Sequence, residues 1–172
     1  MESRAKLFGH PIHQMLVTFP IGAFGLAVAS DALHGVSGER RYADAAQLAL
    51  DVGLITAGVA IPFGFVDWLS IPRGTSARRT GIWHAASNIA MLGLFGASRW
   101  LRSHERASAR AKALSGAAFL LSGVAAWFGG ELVDHHGIGV KGVPAPTALP
   151  WDTSEAPRPT RVAPLGAPVT PG

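Results

Sequence analysis

The chain has 172 residues, 48% hydrophobic and only 15% charged, with a mean hydropathy of +0.27. Soluble domains average about 25% charged residues, so this composition points to membrane helices, with 21 glycines that permit close backbone approach. The absence of cysteine excludes disulfides, iron–sulfur clusters and thiolate metal sites, leaving His, Met and carboxylates as possible ligands.

The net charge is +4, but the basic residues fall between apolar runs and no basic helix face is interleaved with aromatics. They read as arginines flanking membrane spans, and nucleic acid is not an expected partner. The first apolar run opens at Gly9-His10-Pro11-Ile12-His13-Gln14-Met15 and predicts a helix over about 12–33. Pro11 suits a helix start, where its missing N–H costs nothing. Met1–Lys6 with Ala27-Val28-Ala29 also fits a signal peptide, but two histidines and a proline ahead of the apolar run speak against it.

Further runs predict helices over about 45–68, 82–101 and 111–133. Each approaches the roughly 17–25 residues needed to cross hydrocarbon. Pro20 and Pro62 lie inside the first two runs, where neighbouring helices can absorb a kink. Residues 143–172 hold 8 of the 12 prolines and are expected to be a disordered tail. The expected fold is all-α: an integral membrane four-helix bundle over residues 1–142, in a lipid bilayer, with both termini on one side. The arginines and lysines divide almost evenly between the two sides, so the positive-inside rule does not orient it. The high Ala, Gly and Arg content hints at a GC-rich bacterial source, and the expected location of such a multi-pass helical protein is the inner membrane.

Four crossings bring one end of every helix to the same edge. His10 and His13 begin the first helix, three positions apart and so on one face. Asp67 and Trp68 end the second. Trp83, His84 and, one turn deeper, Asn88 begin the third. Glu131, Asp134, His135 and His136 end the fourth. A carboxylate at such depth is a functional candidate unless paired. Asp67 facing His84 would fix an imidazole tautomer. His34 and His104 lie at the other edge and are expected to be solvated. Asp51 is expected to pair with an arginine there, and Met15 to sit in the core. Gly22, Gly25, Gly53, Gly93 and Gly123 read as helix-packing contacts.

These pieces resemble a family of bacterial membrane proteins catalogued as domain of unknown function 2231. The resemblance rests on Gly9-His10-Pro11-Ile12-His13, on Met15 to Gly22, on Asp67-Trp68, and on Trp83-His84 with Asn88. It also rests on Gly129-Gly130-Glu131-Leu132-Val133 leading to His136-Gly137-Ile138-Gly139-Val140. Gln14 stands where the family has Pro, and Asp134-His135 where it has Tyr-Arg, which makes His136 the better carry-over. The resemblance implies a four-helix domain, alone or joined to Rieske-type domains, similar in plan to small membrane b-type cytochromes.

Three functions fit these residues. One is a haem b electron-transfer module with ligands among His13, His84 and His136, and propionates met by Arg73, Arg78 and Arg79. The second is a zinc or iron site of His10, His13, Asp67, His84 and His136, with Glu131 as a possible hydrolytic base. The third is a structural or assembly subunit that docks a redox protein such as a Rieske-type or c-type cytochrome.

Overall fold

The computed structural model describes residues 1–105 and 108–147; most of the proline-rich tail, from residue 148 on, lies outside them. The described residues are helical almost throughout. A short antiparallel hairpin, β1 (Lys6–Leu7) and β2 (His10–Pro11), turns at Phe8-Gly9 and leads into α1 (Ile12–Leu16). Then follow α2 (Thr18–Ser37), α3 (Arg40–Ser70), α4 (Ser76–His104) and α5 (Ala109–Gly130). A π-helical turn, Glu131–His135, extends α5.

The interruption between α1 and α2 has a local cause. Pro20 lacks an N–H, so the carbonyl of Leu16 loses its helical partner there. The chain recovers through Val17, whose amide bonds His13 O and whose carbonyl accepts from Ile21. The helices also run further than the apolar stretches. Their ends continue into charged turns because Arg, Glu and Lys are good helix formers.

Among the described residues, three segments are long and apolar enough to cross a membrane: Ile12–Ser37, Arg40–Ser70 and Ala109–His135. Large apolar side chains cover the outer surface, with Ile55, Ile89 and Leu120 each more than two-thirds exposed. The interior is made of small residues around a few large ones. Phe24, Ala27, Leu50, Met91, Phe95 and Ala118 form the main core. The Phe24 and Phe95 rings stack at 4.0 Å between centroids, 7° from parallel. A Cβ on Gly53 would come within 2.5 Å of the Phe24 ring, so that glycine is required for α2 to meet α3. Gly22, Gly93 and Gly123 have nothing within 4 Å and are not the packing contacts expected of them. They face outward, where helical periodicity alone does not distinguish lipid from protein. Met15, expected in the core, is 40% exposed.

At the end of the bundle remote from the N-terminus, Asp51 pairs with Arg99, Nε to Oδ1 at 2.5 Å, as the sequence suggested. Arg102 departs from expectation. Read as one of the basic residues flanking the spans, it is instead 1% exposed, and it forks both carboxylate oxygens of Asp31 at 2.9 and 2.5 Å. Ser98 and Ser115 complete its shell at 3.4 Å each. The long α4 helix carries Arg102 inward, and Asp31 lies just past the apolar run that identified the first helix. His34 also differs from a solvated residue: it is half-buried, with Lys112 Nζ 2.7 Å from its Nδ1. His104 is exposed beside Trp100.

Breaking a buried ion pair strands a charge at a cost of about 3–5 kcal/mol, whereas replacing both partners by apolar residues is near neutral. Arg102→Met is therefore expected to lower unfolding stability in detergent strongly. Asp31→Leu added to it should restore most of the loss, as measured by denaturant-induced loss of helical signal.

Candidate functional site

The edge that holds the N-terminus is built from several segments, two of which seat a histidine in the same way. His13 starts α1 and reaches α3. Its Nδ1 lies 3.1 Å from Ala60 O, and its ring rests flat on Gly64, where a Cβ would approach to 2.7 Å. His84 in α4 repeats this arrangement on α5. Its Nδ1 lies 2.9 Å from Ala125 O, and its ring rests on Gly129, where a Cβ would come within 3.2 Å. A carbonyl oxygen only accepts, so each Nδ1 must carry the proton. In the neutral ring, Nε2 then bears the free lone pair, which is how a ligating imidazole is held by its surroundings. His13 Nε2 has no protein hydrogen bond among the described residues. Asn88 Nδ2 stands 3.4 Å from both His84 ring nitrogens and donates at 2.8 Å to the His84 carbonyl one turn back.

The other expected site residues go elsewhere. Asp67 does not face His84. Its carboxylate accepts from the Ser3 hydroxyl at 2.7 and 2.8 Å, from Arg4 N at 2.8 Å and from Ala5 N at 3.3 Å. The N-terminal segment folding back over α3 supplies these donors, which helix parity could not anticipate. Arg78 is spent on the turn between α3 and α4. Its Nη1 donates to Trp68 O at 2.7 Å and Ile71 O at 3.0 Å, and its guanidinium sits 3.6 Å from the Trp68 ring centroid. Arg73 and Arg79 are exposed at the same edge. His10 is exposed in the hairpin. His136 lies just beyond the π turn, with Nε2 3.2 Å from Thr80 Oγ1. Among the described residues, no three His, Asp or Glu side chains gather as a metal-binding group.

Ala60, Gly64, Ala125 and Gly129 were not anticipated as site residues. The signal for them was present: Gly58-Val59-Ala60-Ile61-Pro62-Phe63-Gly64 recurs as Gly123-Val124-Ala125-Ala126-Trp127-Phe128-Gly129. His136 lies outside the spans. Burial and then the neighbouring His135 push its pKa below the ordinary 6.5, against a smaller upward pull from Glu131.

A family model described as a predicted membrane protein (DUF2231) matches residues 9–142. No curated protein and no solved structure matches the chain.

Gly64→Ala is expected to lose about 1–3 kcal/mol of stability by forcing the His13 ring from its place, and Gly129→Ala less, because its gap is wider; thermal unfolding in detergent reads both. A depressed histidine pKa means that the unfolded chain takes up the proton first as pH falls. Stability should therefore decline as pH drops below about 6.5, and His136→Gln should flatten that part of the pH profile.

Proposed function

The chain belongs to the predicted membrane protein family of domain of unknown function 2231, and from that premise we propose that it is a four-span electron-transfer module holding one haem b between His13 and His84. The observation that carries this reading is the matched pair of imidazoles, each tied through Nδ1 to a carbonyl of the neighbouring helix. Axial haem ligands need an unprotonated Nε2 and a fixed ring plane, and both seats provide them.

The reading requires α4 to be the fourth span, although its overall composition is more polar than that of the other three. From Thr80 to Ser98 it carries no Asp, Glu, Lys or Arg, a length of roughly 28 Å at 1.5 Å per residue. That approaches the roughly 30 Å of a hydrocarbon core. Its outer face carries exposed Ile82, Ile89 and Trp100. Its inward charges, Arg99 and Arg102, are matched by Asp51 and Asp31, as charges at membrane depth must be.

A haem b held there would store and release one electron. The residues of this chain would bind it, orient the two imidazoles and exclude water with the apolar bundle. Exposed Arg73 and Arg79 would meet propionates at the edge, while Arg78 stays with Trp68. A peripheral redox protein, of Rieske or c-type cytochrome kind, would exchange electrons at this side.

The zinc or iron reading has less support, because Asp67, His10 and His136 are held apart from the paired imidazoles. The structural reading is favoured by one observation: the same two hydrogen bonds also fasten α1 to α3 and α4 to α5.

Purified protein in mild detergent is expected to show a Soret band and a sharp α-band on reduction. His84→Ala should abolish the α-band. Colourless protein after expression with ample haem supply would leave the structural reading in its place.

A further inference from the structure

The two halves of the chain repeat one another. His13 and His84 are 71 positions apart, as are Gly22 and Gly93, Phe24 and Phe95, Gly25 and Gly96, and Asp31 and Arg102. The second helix of each half repeats as well. Ala60 and Ala125 are 65 apart, within heptapeptides identical at five of seven positions, and so are Gly64 and Gly129. Burial follows the same offsets: Phe24 and Phe95, Ala27 and Ser98, Asp31 and Arg102, and Ala60 and Ala125 are all buried pairs.

The packing shows the same relation. α2 lies along α3 and α4 along α5, each far more extensively than one hairpin meets the other. Between hairpins, α3 touches α4 and α2 touches α5 to a similar small extent. Equivalent residues meet across the middle. The Phe24 and Phe95 rings stack on each other nearly parallel, and Asp31 pairs with Arg102. Self-contact between equivalent positions marks a twofold axis. Two copies that run in the same direction place that axis along the membrane normal, as in parallel-repeat membrane proteins.

We infer that the chain is a tandem duplication of one helical hairpin, and that His13 and His84 are equivalent halves of one composite site on the pseudo-twofold axis. Such a site takes a single planar metal macrocycle that accepts one imidazole nitrogen on each face. Each hairpin supplies the same unit: a histidine on its first strand of helix, an alanine carbonyl that fixes Nδ1–H, and a glycine that leaves room for the ring. The duplication and the axis do not depend on the haem reading; the class of ligand rests on it. Asp31 and Arg102 occupy one equivalent position with opposite charge. Two unfused copies of the first hairpin would set carboxylate against carboxylate there, so the charge difference favours pairing of unlike halves.

The chain has no cysteine, so paired cysteines can be placed without background. Full-length Phe24→Cys/Phe95→Cys and His13→Cys/His84→Cys variants, in membranes, are treated with a short bismaleimide. Both pairs are expected to cross-link within one chain. A linked phenylalanine pair with an unlinked histidine pair would overturn the composite site, and failure of both, where each single cysteine reacts with a membrane-permeant maleimide, would overturn the axis. In parallel, His13→Ala and His84→Ala are compared for haem per chain and for the reduced α-band. Equal loss in both supports equivalence. Loss of axial coordination in one variant alone would overturn the composite site and leave the haem reading standing. Haem-free wild type with both pairs linked would instead defeat the haem reading and support the duplicated pocket.

Discussion

An imidazole inside an apolar bundle holds one position only if its N–H finds an acceptor. Leaving such a donor unpaired costs on the order of 1–3 kcal/mol. In this chain the acceptors are helix carbonyls, Ala60 O for His13 and Ala125 O for His84. Those carbonyls are reachable because the residue one turn further on is glycine in both helices, so the ring can lie against the backbone. The glycine, the carbonyl and the imidazole therefore form one unit. The orientation of Nε2, and with it any capacity to bind a ligand, depends on that unit.

The same rule shapes the opposite end of the molecule, where a full charge has to be accommodated. Arg102 is buried against Asp31 with two serines completing its shell. A buried pair of this kind adds little net stability over an apolar replacement, but it penalises every alternative pairing of the helices. It fixes which faces of α2 and α4 meet, and the Phe24–Phe95 stack lies on those same faces. Register set at one end thus positions the two imidazoles at the other.

Much of this architecture was legible in the sequence. The apolar runs located the helices, and Asp51 without a local partner pointed to an arginine such as Arg99. Parity of crossings grouped His13 and His84, and each is held on its neighbouring helix in the same way. It could not say which partners each side chain would choose, because that depends on rotation about the helix axis and on chain outside the helices. Asp67 was claimed by Ser3, Arg4 and Ala5, and Arg78 by the carbonyls of its own turn. Arg102 was misplaced because its charge suggested a loop, while its partner Asp31 sat just past the end of an apolar run. The most informative signal was the repeat itself. It became visible only when residues at a fixed offset were compared, since an apolar alphabet of Ala, Gly, Leu and Val hides repetition in composition.

The central claim is that His13 and His84 are both held as the less common Nδ1–H tautomer, leaving Nε2 unprotonated, with the Asn88 amide 3.4 Å from that of His84. Nitrogen NMR of protein labelled with 15N-histidine, in detergent without added ligand, tests it directly. Two imidazoles are expected with a protonated Nδ1 and an unprotonated Nε2, and one such signal should vanish in each single His→Ala variant. Both residues protonated at Nε2 instead would contradict the account.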